Sequence, residues 1–481
     1  MLFNSLHFLF FLPIVLALYF ATPARWKWAL LLVASYYFYA AWRVEYLLLI
    51  MASTGVDYAA GIQMGKQDTR KGRRPWLFLS LLVNLGLLFT FKYLNFFSES
   101  FQAAFDRFNV YYGIPTFDVL LPVGISFYTF QTLSYTIEVY RGRQKPERHL
   151  GIFALYVSFF PQLVAGPIER STRLLPQFFQ KHGFDLERAR SGARLMLWGF
   201  FKKLVVADRL AVYVNEVYAD PAAHSSATLL VATYFFAVQI YCDFSGYSDI
   251  AIGTARIMGY DLMENFRRPY FSRSIREFWG RWHISLSTWF RDYVYIPLGG
   301  NRVSRGRWYA NLLIVFVVSG LWHGAAWTFV FWGALHGGYL VLALASTDLR
   351  DRTWARLGRL PAVDRIRSAM AVLVTFHLVL FAWVFFRAET LKEASAVILG
   401  VVRWQPATEA LSAPSGLWNF RLSLAAIAVL LVVDLAQSLW GGEKGLLRMP
   451  RPIRWALYYA AFFATLMFGE FGGEDFIYFQ F

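Results

Sequence analysis

The sequence is poor in cysteine and in charged side chains. Of its 481 residues one is a cysteine, Cys242, and 16% are charged. A single cysteine excludes an internal disulfide framework and a metal site built from several cysteines. The chain also lacks an HExxH zinc motif, a phosphate-binding P-loop and a GxSxG nucleophile motif. The spacings of His283, His323 and His336 match no usual set of metal ligands, so we expect neither a bound metal nor a tightly bound cofactor.

Charge is missing altogether from one long stretch. Residues 308–346 contain no Asp, Glu, Lys or Arg, and since a membrane-spanning helix needs about 20 mainly apolar residues, we predict two spans there. Trp322 and His323 lie near the middle, and His336 follows thirteen positions after His323. Histidine is the least costly ionisable residue at membrane depth, because near neutral pH it stays uncharged and still forms hydrogen bonds. It also accepts a proton from a hydroxyl readily, which makes His323 the first candidate for chemistry.

The composition is typical of a protein embedded in lipid. Hydrophobic residues make up 57% of the chain and aromatic residues 19%, and the mean hydropathy is +0.40. These values predict a polytopic membrane protein. The formal charge of +16 comes from basic residues in short loops between apolar runs, near 66–74, 141–148, 350–367 and 444–454. Such clustering is typical of cytoplasmic loops that contact anionic membrane lipids, and it argues against a nucleic-acid partner.

Apolar segments predict where the chain crosses the membrane. Apart from residues 308–346, they lie near 1–20, 26–42, 44–64, 76–97, 119–140, 368–387, 421–440 and 455–470. The first lacks a basic start and a small-residue cleavage site, so we predict a retained span and not a signal peptide. Residues 150–170 are apolar but interrupted by two prolines and a glycine, which predicts a re-entrant or interfacial element. The aromatic segment 476–481 is expected to dock, either into this bundle or onto a partner. We find no repeat or linker and predict a single membrane-embedded domain over residues 1–481.

Several charged residues stand within apolar surroundings. Asp57 is expected to pair with neighbours inside the bundle. Within the apolar helix pattern of residues 191–218, the charges of Lys202, Lys203, Asp208 and Arg209 predict a helix that begins or ends at the membrane interface. Asp243 and Asp249 are six positions apart among hydroxyl residues and follow an apolar run. Two explanations remain open for them, a polar network between helices and the polar lining of a substrate cavity.

Residues 264–307 are rich in arginine and are the least membrane-like part of the central region. Trp279, His283, Leu286 and Phe290 recur at helical spacing, which predicts one face of an interfacial amphipathic helix. His283 lies on the apolar side of this predicted helix. It is either a structural hydrogen-bonding residue or a group directed into the protein, toward the charge-free stretch.

Two long motifs carry a resemblance to a known family. Residues 273–302 read RSIREFWGRWHISLSTWFRDYVYIPLGGNR, and residues 318–337 read VSGLWHGAAWTFVFWGALHG. Both closely resemble the membrane-bound O-acyltransferase family, above all the bacterial branch with the membrane subunits of alginate O-acetylation and teichoic-acid D-alanylation. Further similar segments follow the same order, so the resemblance covers almost the whole chain: PQLVAGPIER, GFFKKLVVADRL, YCDFSGYSDIAIG and FIYFQF.

The resemblance implies an all-α polytopic fold. About ten or eleven tilted transmembrane helices, with re-entrant and interfacial helices, would form a ring around a central funnel. Carried over by position, the catalytic histidine is His323 in the second motif, and the other prominent histidine is His283 in the first. We name as candidate substrate-binding residues Arg281, Trp282, Trp322, Asp243 and Asn301.

The resemblance also implies a reaction. An acyl group, which we take to be acetyl, would pass from a cytoplasmic thioester such as acetyl-CoA toward hydroxyls of an exported polysaccharide such as alginate. This would take place in the bacterial cytoplasmic (inner) membrane, and an extracytoplasmic acetylesterase-like partner would complete the transfer. His323 would be the general base, reachable from both faces, and Trp322 or His283 would stabilise the oxyanion.

Arginines in residues 267–307 would attract the CoA phosphates or an acidic acyl-carrier protein at the cytoplasmic face. A competing interpretation is a transporter of an acyl or glycan substrate, in which the membrane histidines form a proton relay. A purely structural scaffold for a secretion complex is a third. The glycan, the donor and the oligomeric state do not follow from the sequence.

Overall fold

The computed structural model is mainly helical in the residues it describes. These are residues 1–109, 122, 124–349, 352, 361–406, 410–441, 443–472 and 476–477, and they contain no β-strand. The chain divides into two compact units, one of residues 1–196 and 247–263 and one of residues 197–246 and 264–481. The predicted single domain stays a prediction.

The first unit contains most of the early apolar segments as helices. Its helices are Leu6–Ala21, Lys27–Ala40, Glu45–Gly65, Arg70–Leu88, Leu94–Asp106, Ile125–Arg141, Leu150–Ser158, Phe160–Leu163, Ser171–Leu174 and the first part of Leu186–Phe200. A π-helical turn, Phe89–Tyr93, joins two of them. The last part of Ser226–Met258 also belongs to this unit. Part of the predicted 119–140 segment lies outside the described residues.

Asp57 pairs inside the first unit, as predicted. It is fully buried, and the hydroxyl of Ser80 donates to its Oδ1 at 2.6 Å. The amide of Asn84 donates to both carboxyl oxygens, at 2.9 and 3.0 Å. These bonds join helices Glu45–Gly65 and Arg70–Leu88 through a carboxyl group that would otherwise be costly to bury.

The broken element at residues 150–170 is confirmed. Helix Leu150–Ser158 stops before Phe159, whose ψ of 109° leaves the helical region, and a four-residue helix, Phe160–Leu163, follows. Downstream lies Glu169, which is fully buried and accepts a hydrogen bond from the backbone N–H of Met263. Burial raises the pKa of Glu169 from its ordinary value of 4.5 to about 7, although the Met263 N–H opposes this.

Replacing Glu169 with glutamine is expected to flatten the pH dependence of stability. Because the folded protein binds this proton more tightly than the unfolded chain, stability should fall as pH rises from about 4.5 to about 7, then level off. The thermal midpoint in detergent should therefore differ less between pH 5 and pH 8 in Glu169→Gln than in the wild type. The exposed Glu187 supplies a control, and equal pH dependence in wild type, Glu169→Gln and Glu187→Gln would contradict the expectation.

The second unit contains the remaining helices. They are Asp208–Ala219, the first part of Ser226–Met258, Ile275–Trp279, Ile284–Phe290, Arg305–His323, Trp327–Ala345, Pro361–Arg387, Leu391–Val402, Gly416–Trp440, Glu443–Arg448 and Arg451–Phe468. Two further π-helical turns are Phe201–Ala207 and Arg291–Tyr295. Across the described residues of both units, six helices are long and apolar enough to cross a membrane: Glu45–Gly65, Arg70–Asp106, Ser226–Met258, Trp327–Ala345, Val363–Arg387 and Gly416–Trp440.

The charge-free stretch lies in a tight pair of antiparallel helices, of which Trp327–Ala345 is long and apolar enough to cross a membrane; the second predicted span stays a prediction. Arg305–His323 and Trp327–Ala345 are separated by three residues. At Gly320 an added Cβ would lie 2.2 Å from the carbonyl oxygen of Phe329, and at Gly333 one would lie 2.2 Å from that of Phe316. Only glycine allows this approach of the two backbones. The pair therefore fixes the position of His323 at the end of its first helix.

Two sequence predictions in this unit are wrong. Trp279 and Phe290 do not share one helix, because the chain turns between Ile275–Trp279 and Ile284–Phe290, with His283 in the left-handed region at φ 43°. The charges at 202–209 do not mark a helix end. They occur where a π-helical turn continues directly from one helix into the next, and all four are buried: Lys202, Lys203, Asp208 and Arg209.

Candidate active site

His323 is the last residue of helix Arg305–His323 and is enclosed by aromatic rings. The ring of Trp322 lies 4.9 Å away between centroids, that of Trp332 lies 5.0 Å away and that of Phe386 lies 5.4 Å away. His323 is 3% exposed. The helix ends at Gly324, which has extended backbone, and an added Cβ there would lie 2.1 Å from the Phe329 ring. The sequence WHG thus places an imidazole at a helix end, surrounded by aromatic rings.

His283 lies beside His323. The two ring centroids are 6.3 Å apart, and His283 also contacts Trp322 at 5.9 Å and Phe244 at 4.6 Å. His283 is fully buried, and burial lowers the pKa of its imidazole to about 3, so the ring is neutral at physiological pH. The structure thus brings together the histidines of two motifs that are forty positions apart in the sequence.

The backbone at His283 is strained. Its φ of 43° is a conformation that costs a residue other than glycine about 1–2 kcal/mol. Asn265 holds the turn: its carbonyl accepts from the Ile284 N–H at 3.0 Å, and its side-chain oxygen accepts from the Ser285 hydroxyl at 2.7 Å. Strain that the surroundings maintain is common at functional sites, because it fixes a side chain that a relaxed helix would point elsewhere.

The predicted substrate-binding residues occupy different environments. Trp282 is buried and packs on Phe278 and Trp383, with ring centroids 5.5 and 5.0 Å away. Arg281 is partly exposed and pairs with Glu277 at 2.5 Å. Asn301 is exposed in the turn before helix Arg305–His323. Trp322 contacts both His283 and His323. By contrast, Arg281 and Asn301 are accessible to solvent.

Asp243 belongs to a buried ionic cluster with Lys203 and Asp208. The ammonium of Lys203 lies 2.8 Å from Asp243 and 2.7 Å from Asp208, and all three side chains are at most 4% exposed. Burial alone would lower the pKa of Lys203, but the charges of Asp243 and Asp208 outweigh it and raise the pKa. Lys203 is therefore held as an ammonium between the two carboxyl groups. The cluster sits where Gly246 lets two helices touch, since a Cβ there would lie 2.8 Å from the Gly199 carbonyl.

Asp243 also anchors the aromatic segment that was expected to dock. The backbone N–H of Ile477 donates to Asp243 Oδ2 at 2.7 Å. Phe476 and Ile477 are buried, and the Phe476 ring lies 5.8 Å from Phe244, which itself touches His283. The described part of this segment therefore docks into the second unit, separated from His283 by the Phe244 ring. Residues 478–481 lie outside the described residues.

Sequence reasoning missed several residues of this site. Trp332 and Phe386 contact His323, and Trp383 stacks on Trp332 with centroids 6.0 Å apart. Lys203 was predicted to lie at the membrane interface and is instead buried between two aspartates. The spacing of Trp332 and His336, four positions apart in one helix, was the available signal that both belong to one buried face.

The chain resembles known acyltransferases over most of its length. A profile described as "MBOAT, membrane-bound O-acyltransferase family" matches residues 149–388. The chain is 43% identical over 398 residues to a probable alginate O-acetylase, AlgI, of Azotobacter vinelandii, covering 82% of this chain and 76% of that protein. It is 35% identical over 434 residues to a peptidoglycan O-acetyltransferase of Helicobacter pylori, covering 84% and 80%. To a teichoic acid D-alanyltransferase of Bacillus subtilis it is 29% identical over 285 residues, covering 56% and 70%.

Proposed function

This chain belongs to the membrane-bound O-acyltransferase family and is a multi-pass membrane O-acyltransferase, and from that premise we propose that it transfers an acetyl group from a cytoplasmic thioester toward hydroxyls of an exported polysaccharide. Relatives named for alginate and for peptidoglycan acetylation support a polysaccharide acceptor. Acetyl-CoA is the simplest donor of this class. The observation that carries the proposal is the contact between His323 and His283 inside one aromatic enclosure.

In the proposed reaction His323 is the general base. Its imidazole takes the proton of the acceptor hydroxyl while the hydroxyl oxygen attacks the thioester carbonyl carbon, and the π pair of the carbonyl moves onto oxygen. When this tetrahedral intermediate collapses, the C–S bond breaks and the thiolate leaves, taking up the proton that His323 carries. General-base catalysis of this kind contributes about 10²–10⁴-fold in rate. His283, neutral and held rigidly next to His323, donates a hydrogen bond to the developing oxyanion.

The enclosure suits this chemistry. Water would compete with the acceptor hydroxyl for the thioester, and a shell of tryptophan and phenylalanine rings excludes it. Because His323 is 3% exposed, we infer that the substrates reach it by displacing some of these rings. A site inside the membrane lets a charged donor and a polysaccharide approach from opposite faces, since neither crosses lipid.

A basic surface supports a phosphorylated donor. Residues 267–307 expose several arginines: Arg267, Arg273, Arg276, Arg291, Arg302, Arg305 and Arg307. Arginine binds phosphates through charge-assisted hydrogen bonds, so this surface fits the CoA phosphates or an acidic acyl-carrier protein. We place it at the cytoplasmic face of the bacterial inner membrane, and we place the acetylesterase-like partner on the opposite face.

The proposal is tested with purified protein and acetyl-CoA labelled in the acetyl group. Transfer of label to a polysaccharide or oligosaccharide with free hydroxyls, with release of CoA, is the expected result. Alginate, peptidoglycan fragments and cellulose serve as acceptors, and mass analysis of the product identifies the glycan. If vesicles instead move the acyl or glycan substrate across the bilayer without forming an ester, the transporter with a histidine relay replaces this proposal.

Replacing His283 with asparagine is expected to lower acetyl transfer by about tenfold to a hundredfold, because the shorter amide does not place a hydrogen-bond donor where the imidazole N–H meets the oxyanion. Folding should stay intact, because asparagine tolerates the left-handed backbone conformation. His283→Ala should lose activity equally and should also lower the thermal midpoint, since alanine disfavours this backbone. Both rates and midpoints are measured on purified protein. Full activity in His283→Asn would show that the imidazole has only a structural role.

A further inference from the structure

Helix Trp327–Ala345 carries a strip of buried polar atoms without partners. Thr328, Trp332 and His336 are spaced four positions apart and so share one helix face, and each is at most 1% exposed. Among the described residues no hydrogen-bond partner reaches the Thr328 hydroxyl, the Trp332 Nε1 or the His336 Nε2. Three such atoms in a row are unusual in a folded protein, where most buried polar atoms are paired.

The strip runs along the site that holds His323. The Trp332 ring lies between two histidines, 5.0 Å from His323 and 4.9 Å from His336 by centroid distance. The indole N–H of Trp279 donates to His336 Nδ1 at 3.3 Å, so the ring proton of His336 is on Nε2. Trp332 Nε1 and His336 Nε2 are therefore both donors, and Thr328 adds a hydroxyl.

These donors are costly to the protein when nothing binds them. A buried donor without a partner costs about 1–3 kcal/mol, and a phenylalanine at position 332 would supply an aromatic ring with no unpaired N–H. Other indoles of the same cluster are paired: Trp383 Nε1 donates to the Tyr270 hydroxyl at 3.2 Å, as Trp279 does to His336. The strip is thus the part of the aromatic enclosure whose hydrogen bonds are left for another molecule.

We propose that this strip binds the acyl thioester, with Trp332 Nε1–H donating to the acyl carbonyl oxygen as an oxyanion donor beside His323. Thr328 and His336 lie one helical turn to either side of Trp332, and the donor on the side of the thioester sulfur holds an amide carbonyl of the pantetheine arm. This inference rests on the proposed function and assigns the donor-binding side of the same site. An oxyanion donor acts mainly in the transition state, so its removal lowers kcat more than it changes KM.

The test compares Trp332→Phe with Trp308→Phe in purified full-length protein, using labelled acetyl-CoA; Trp308 lies about 22 Å before His323 along the same helix. Trp332→Phe keeps the aromatic packing and removes the unpaired N–H. It should lower kcat by about 10²-fold and leave KM for acetyl-CoA nearly unchanged. Trp308→Phe removes an N–H that already donates to the Tyr295 hydroxyl at 2.8 Å, so it should lower the thermal midpoint and leave kcat near the wild-type value.

The outcomes separate the inference from the proposed function. The inference is overturned if Trp332→Phe keeps its kcat, or if both variants lose kcat and midpoint together, which would assign Trp332 to packing alone. A wild type that transfers no acetyl group would overturn the proposed function and this inference with it. A loss of kcat confined to Trp332→Phe, in an active wild type, supports both.

Discussion

Replacing His323 with alanine is expected to lower acetyl transfer by about 10²–10⁴-fold, because the variant loses the imidazole between Trp322 and Trp332 that we propose as the general base. The thermal midpoint should fall as well, because alanine leaves a cavity where the buried imidazole packs against three rings, so the rates are compared on protein that is shown to be folded. His323→Gln should be as inactive, because an amide is not a base at neutral pH. Initial rates with labelled acetyl-CoA measure the effect.

The matched control is another histidine in an apolar helix. His377 pairs with the Tyr234 hydroxyl at 2.7 Å and with the Leu373 carbonyl at 2.8 Å, so its role is structural. His377→Gln should keep the wild-type rate. If His323→Ala retains more than a tenth of the wild-type rate in a folded protein, or if His377→Gln is equally inactive, the assignment of the base is wrong.

Replacing Lys203 with methionine is expected to destabilise the protein by about 3–5 kcal/mol, because it leaves two carboxylates buried without their cation. The contacts at 2.7 and 2.8 Å to Asp208 and Asp243 are lost together. Segment 476–477 should also loosen, since Asp243 anchors it through the Ile477 N–H. Thermal midpoints in detergent measure the first effect, and proteolysis near residue 476 measures the second.

A combined variant separates charge from packing. Lys203→Met with Asp208→Asn and Asp243→Asn removes all three charges and keeps similar shapes, so it should recover most of the lost midpoint. Asp243→Asn alone keeps an oxygen that accepts from Ile477 and should protect residue 476 from protease better than Asp243→Leu. A Lys203→Met protein as stable as the wild type would mean that the cluster is not fully buried in membrane or detergent.

Local sequence signals predicted much of the helical architecture. Long apolar runs predicted the helices up to residue 65 and the helix pair around His323. The reason is that lipid requires apolar side chains and a backbone whose hydrogen bonds are formed within the segment. The break in residues 150–170 was readable from its prolines and glycine. The ten or eleven spans around a funnel remain a prediction, since six described helices meet the length and apolar requirements.

The backbone conformation of His283 and the ion pair between distant residues could not be predicted from the sequence. The periodicity of Trp279, His283 and Phe290 indicated one helix, but it contained no sign that His283 adopts φ 43°. Glycine is the usual residue in this conformation and would have predicted the turn, whereas a histidine does not. Lys203 looked like an interfacial charge because its partner Asp243 is forty positions away. His323 was predictable from motif and surroundings, and Trp332 was not, because an indole N–H reveals its missing partner only in three dimensions.

The most direct measurement places donor and acceptor on opposite sides of a membrane. Wild-type protein and His323→Ala are reconstituted in one orientation into vesicles, with labelled acetyl-CoA on the side of the arginine-rich surface and an oligosaccharide acceptor on the other. For the wild type we expect acetyl ester on the acceptor side of the membrane, and for the variant an ester formation rate lower by about 10²–10⁴-fold. Ester formed at equal rates by both proteins, or formed only on the side of the donor, would contradict this expectation.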